Sequence, residues 1–172
     1  MTRSDRVVIL GGTFTPVHNG HRALLHHAFQ TASHDGDGDG HVVVGLTSPD
    51  LATETRGDPS HAELLGSFSA RRDALGAELD RIRDAYSATC EIIRLEDTGG
   101  PASRREDIDA LVTSPEAKAQ RRAYEINQHR VDKGLQPLEI HTPPFIVDEE
   151  GNRISSTRIR NGEIDVHGRL LD

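Results

Sequence analysis

Cysteine, lysine and aromatic residues are scarce in this sequence, and tryptophan is missing. The one cysteine, Cys90, excludes an internal disulfide and any cysteine-pair zinc site within one chain, and fits a reducing, cytoplasmic compartment. Aromatics make up 3% and hydrophobic residues 34% of the 172 positions, so a core has to be built from Val, Ile, Leu and Ala. No apolar run approaches a membrane span, and Val7 to Leu10 is too short for a signal-peptide core; neither a membrane partner nor a targeting segment is expected. The formal net charge of −8 denies the chain the basic face that nucleic-acid binding needs, so no nucleic acid is expected as a partner. Any anionic ligand must be gripped locally. Only Lys118 and Lys133 accompany 18 arginines against 28 acids, a surface chemistry resembling that of salt-loving archaea.

What is present is a regular alternation. Five β-branched runs, "RVVIL", "HVVVGL", "CEIIRL", "DALVTS" and "LEIHT", are separated by helical stretches, and Val42 to Val44 are apolar at successive positions, as in strands covered on both faces. This pattern predicts an α/β, Rossmann-like five-stranded parallel sheet with helices on both faces, in one domain spanning residues 1–172. Leu75, Leu79, Ile82 and Tyr86 form a helical stripe, and residues 114–133 form another helix stopped by Gly134. The patch "HDGDGDGH" opens like a calcium loop, but Leu46 stands where the twelfth, bidentate glutamate belongs; an acidic turn is the better reading.

The connection "GGTFTPVHNGH", Gly11 to His21, leaves the first strand and enters a helix. In an open parallel sheet such loops gather ligands at the strands' carboxyl ends. Gly11 and Gly12 clear space for a close backbone approach, Thr13 adds a hydroxyl, and neither the Gly-x-Gly-x-x-Gly nor the lysine-bearing P-loop pattern is present. His21, Leu24, Leu25 and Ala28 share one helix face, which aims His21 towards the sheet's top edge, while His18 precedes the helix start, where anions are favoured. His26 and His27 fall elsewhere and are expected in solvent. A zinc reading of the histidine pair lacks a third ligand nearby, so no protein-held metal site is assigned. Near the other end, Ser155, Ser156 and Thr157 are an N-cap cluster, followed by Arg158 and Arg160 in a first turn whose dipole disfavours cations. That conflict points to a bound anion, and together the two stretches suggest a polyphosphate site.

Taken together, "HNGH" (His18 to His21) and "ISSTRIR" (Ile154 to Arg160) resemble the His-x-Gly-His nucleotidyltransferases. Further stretches, "GLTSPDLA", "VTSPE", "EINQHRVDKGLQPLEI" and "GEIDVHGR", resemble the archaeal-type phosphopantetheine adenylyltransferases. The resemblance implies transfer of AMP from ATP to 4′-phosphopantetheine, giving dephospho-coenzyme A and pyrophosphate, with Mg²⁺ assisting. It implies His18 and His21 as catalytic residues, an ATP site of Gly11, Gly12, Thr13, Phe14, His18, His21, Ser155, Ser156, Thr157, Arg158 and Arg160, and acceptor contacts from Thr13 and Arg71. Relatives often carry a lysine where Glu54 stands; Arg121 and Arg122 are expected on a solvated helix face. Transfer to nicotinamide mononucleotide, or nucleotide binding with weakened catalysis, are the competing readings. The oligomeric state stays open, a homo-oligomer included.

Overall fold

The computed structural model describes residues 5–33, 40–56 and 65–172, so the acidic turn weighed above as a calcium loop lies, from residue 34 to 39, outside the described residues. All five expected strands form: β1 (Val7–Gly12), β2 (His41–Thr47), β3 (Thr89–Leu95), β4 (Ala110–Val112) and β5 (Glu139–His141). They make one all-parallel sheet in the order β3-β2-β1-β4-β5, with Val7 beside His41 and Ile9 beside Leu111 in register. The helices are α1 (Asn19–Ser33), α2 (Pro49–Arg56), α3 (Phe68–Arg83), α4 (Ala117–Asp132) and α5 (Ser156–Arg160), with a 3₁₀ turn at Gly100–Ser103.

The period-two alternation of a strand divides the core into two layers. Val8 and Leu10 of β1 pack with Leu25 and Phe29 of α1 and Leu75 and Leu79 of α3, whereas Val7 and Ile9 face Ala123 and Ile126 of α4. Val42, Val43 and Val44 are fully buried, as their unbroken run required. Arg130 is also buried, at 1% exposure, because its guanidinium donates to the carbonyls of Ala102, Arg105 and Gln136 and so pins the 3₁₀ turn to α4.

Three expectations are adjusted. Tyr86 lies beyond the end of α3 and stacks on Phe29, with ring centroids 5.5 Å apart. The helix expected over 114–133 is shorter, because Pro115 precedes Glu116, whose extended backbone caps α4. His27 is half-buried rather than solvated, its ring 5.9 Å from that of His141; burial, then the second imidazole, lowers its pKa. No sequence signal had separated α2 from the loop after β2.

The chain steps outwards from β1 to β2 and β3, then returns past β1 to β4 and β5. Loops leaving β1 and β4 therefore diverge, and the crevice between them lies at the sheet's switch point. Residues 13–18 follow β1 there, and residues 113–116 follow β4.

Candidate active site

Two cavities open at this switch point. The larger, of about 420 Å³, is lined from the start of the chain by Gly11, Gly12, Phe14, His18, Gly20 and His21, and from its end by Arg153, Ile154, Ser155, Ser156, Thr157 and Arg160. The two ends are also bonded directly. Arg160 donates from Nη1 to the Thr15 carbonyl at 2.7 Å, and the Asn19 N–H donates to the Val166 carbonyl at 3.0 Å.

The histidine turn is shaped by its glycine. The His18 ring folds back over Gly20, where a Cβ would come within 2.9 Å of His18 Cε1, and His18 Nδ1 accepts from the N–H of Gly20 at 3.0 Å and of His21 at 3.4 Å. With Nδ1 occupied as an acceptor, the proton of the neutral ring is assigned to Nε2, the atom left to donate to a ligand. His18 is 6% exposed; burial first, then the Arg153 and Arg22 charges, push its pKa down to about 4, so the ring is neutral at pH 7. His21 stacks on it with centroids 3.8 Å apart. Phe14 takes a φ of 51°, a costly conformation for an aromatic residue, and is held there at 2% exposure.

At the far wall, Ser155 caps α5, its hydroxyl accepting from the Arg158 N–H at 3.3 Å. The two arginines of this helix part company. Arg160 lines the cavity, as expected. Arg158 does not: its guanidinium is spent on Asp148 at 2.7 Å, Glu163 at 3.1 Å and the Arg153 carbonyl at 2.9 Å. The misfit between a cation and the helix dipole is relieved by two carboxylates at Arg158, which lines an open hollow beside the larger cavity together with Arg153 and Ser155. Arg153, not singled out from the sequence, lines the cavity and pairs with Glu116 at 2.8 Å. A lone arginine before the serine cluster carried no signal of its own.

The smaller cavity, of about 220 Å³, shares Gly11, Gly12, Leu24 and Ser114 with the larger one and continues along Thr13, Thr47, Leu51, Leu95, Pro101 and Ile126. Leu95 closes one side through space that glycines leave: a Cβ on Gly11, Gly45 or Gly100 would come within 3 Å of it. Gly11 thus serves packing as well as ligand approach, and at Gly12 the neighbour is the Phe14 ring. Arg122 lines this cavity, against the expected solvated face, and has no hydrogen-bond or ion-pair partner among the described residues; Arg121 is exposed. Arg71, expected to contact the acceptor, lines neither cavity. It is 4% exposed and donates to the Thr13 carbonyl at 3.3 Å and the Thr47 carbonyl at 2.9 Å, and burial, then Arg94, lowers its pKa. Glu54 is exposed on α2 and lines neither cavity, so its charge is turned away from both.

A parallel sheet with a ligand crevice at its switch point, gripped by a histidine turn and a serine-threonine helix start, defines a Rossmann-type nucleotidyltransferase. The sequence pattern of the cytidylyltransferase-like family matches residues 9–162, and the chain belongs to that family. It is 39% identical over 163 residues to the phosphopantetheine adenylyltransferase of Methanosarcina acetivorans, covering 95% of this chain and 94% of that protein. It is 35% identical to the phosphopantetheine adenylyltransferase of Thermococcus kodakarensis over 171 residues, covering 99% and 94%. Among solved structures, an Archaeoglobus fulgidus protein of unknown function shares the fold with a TM-score of 0.62 at 22% identity, over 96% of this chain and 98% of that one. The tyrosyl-tRNA synthetase of the same organism does so at 0.57 and 12%, over 91% and 60%.

Proposed function

We propose that the protein transfers the adenylyl group of ATP to 4′-phosphopantetheine, releasing pyrophosphate and forming dephospho-coenzyme A. The observation that carries this reading is the convergence of the HNGH turn and the Ser155–Arg160 helix start on one cavity, beside a second cavity that shares Gly11 and Gly12. ATP occupies the larger cavity, and the acceptor the smaller. The names of the archaeal relatives supply the acceptor's identity.

An acceptor phosphate oxygen forms a bond to the α-phosphorus while the bond from that phosphorus to the bridging oxygen of the β-phosphate breaks, so no protein nucleophile is needed. His18 donates from Nε2 to the α-phosphate as charge builds, and His21 supports the nucleotide beside it. Ser155, Ser156, Thr157 and Arg160 hold the β- and γ-phosphates that leave. Arg122, the cation on the smaller cavity, takes its counter-charge from the acceptor. Mg²⁺ would be carried by the triphosphate, beside Glu116, the acid lining the larger cavity, which is paired to Arg153. When bound, such an ion neutralises phosphate charge.

The single cysteine, Cys90, suits a reducing, cytoplasmic location; no helix among the described residues is long and apolar enough to cross a membrane. The acid-rich, lysine-poor composition suits molar salt; equal refolding in dilute buffer and in molar salt would remove that part of the reading. The function itself is tested by offering ATP with phosphopantetheine or with nicotinamide mononucleotide and measuring pyrophosphate. Release with phosphopantetheine alone is expected. Release only with the mononucleotide reassigns the acceptor, and ATP binding without release in either mixture contradicts catalysis.

A further inference from the structure

Arg71 is a buried cation placed beside the reacting loop without facing either cavity, and its hydrogen bonds run in one direction. A guanidinium only donates. From Nη1 it reaches the Thr47 hydroxyl at 3.4 Å as well as the Thr13 carbonyl at 3.3 Å, while Nη2 holds the Thr47 carbonyl at 2.9 Å. The Thr47 hydroxyl in turn donates to Thr13 Oγ1 at 3.0 Å. Thr13 Oγ1 therefore accepts a hydrogen bond from behind, and its own hydroxyl proton has no acceptor among the described residues. Thr13 and Thr47 are nearly buried, at 9% and 8% exposure, and both line the smaller cavity next to Gly12. Arg71 Nε is buried with no partner, so this side chain keeps its place at the cost of one unmade hydrogen bond.

We infer that Arg71 and Thr47 are positioning residues for adenylyl transfer: they hold Thr13 from behind and aim its hydroxyl proton into the seam between the two cavities, towards the phosphates that react there. The inference rests on the proposed function. Arg71 fixes the backbone on both sides of the hydroxyl pair, and its charge polarises the Thr47 hydroxyl, which strengthens Thr13 as a donor. The sequence expectation that Arg71 meets the acceptor is replaced by action at one remove. A fixed donor in a nearly dry site needs little reorganisation as charge develops, which is where such donors lower a barrier.

The test compares Thr47→Val, which keeps the side-chain shape and removes the hydroxyl, with Thr47→Ser, which restores it. Thr47→Val is expected to lower kcat by about tenfold to a hundredfold, less than the loss of a whole preorganised donor. ATP affinity, the acceptor KM and the melting temperature should stay close to the wild type, and Thr47→Ser should recover kcat to within a few-fold. An unchanged kcat in Thr47→Val overturns the inference, as does a raised acceptor KM with kcat intact, which would make Thr47 a binding residue. Failure of Thr47→Ser to recover kcat also overturns it. If the wild type works only with another phosphate acceptor, the acceptor assignment fails and the same variants are measured with that acceptor. A wild type that releases no pyrophosphate with any phosphate acceptor overturns both readings together.

Discussion

The two cavities meet at Gly11 and Gly12 but are made differently. The larger is assembled from both ends of the chain and is rich in groups that meet anions: two imidazoles, Arg153, Arg160 and four hydroxyls. The smaller is walled by β1, β2, the loop after β3 and α4, is mostly apolar, and carries one arginine. The difference teaches how one crevice can hold two phosphate-bearing substrates without confusing them. One side grips charge, while the other buries an organic arm and leaves room for a single phosphate at the shared edge.

Substitutions can break this division of labour, and the largest effect is expected at its boundary. His18→Ala should cut turnover about a hundred- to a thousandfold while ATP affinity changes only a few-fold, because a donor used chiefly as charge develops is lost. Single-turnover kinetics beside ATP titration checks it; unchanged turnover would remove His18 from the chemistry. Arg160→Ala should weaken ATP binding about tenfold to a hundredfold, the worth of a charge-assisted hydrogen bond. Arg158→Ala should instead lower the melting temperature and change ATP affinity far less, since its partners are Asp148 and Glu163. Equal losses of ATP affinity in the two variants would erase the distinction drawn between them. On the smaller side, Arg122→Ala should raise the acceptor KM about tenfold and leave ATP affinity alone.

The smallest effect near neutral pH concerns His18 itself. Its folded pKa, about 4, lies below the unfolded value of 6.5, so between these values the unfolded chain binds a proton that the folded chain refuses. Stability is therefore full above pH 6.5 and lost as pH falls towards 4. Denaturant titrations across this window should show that slope, and His18→Asn should flatten it.

The larger cavity was legible in the sequence because its two motifs are local: HNGH needs Gly20 for the His18 ring to fold back, and Ser155 caps a helix by its own spacing. The strands were legible for the same reason, through runs such as Val42 to Val44. The smaller cavity was not. Its wall depends on Leu95 filling space left by Gly11, Gly45 and Gly100, and Gly11 and Gly45 are far from Leu95 in the chain. The fates of Arg71, Arg122, Arg153 and Arg158 were equally hidden, since all four are the same residue type and only tertiary partners distinguish them. The sequence had marked Arg158 and Arg160 alike as misfits at a helix start, but Asp148, ten residues before Arg158, neutralises that one.

The account stands on one triphosphate being held between the beginning and the end of the chain. The most direct measurement is a crystal structure with a non-hydrolysable ATP analogue. It should show His18 Nε2 at the α-phosphate and the β- and γ-phosphates against Ser155, Thr157 and Arg160, with Arg158 still paired to Asp148. A triphosphate bound in the smaller cavity, or touching only one of the two motifs, would contradict the account.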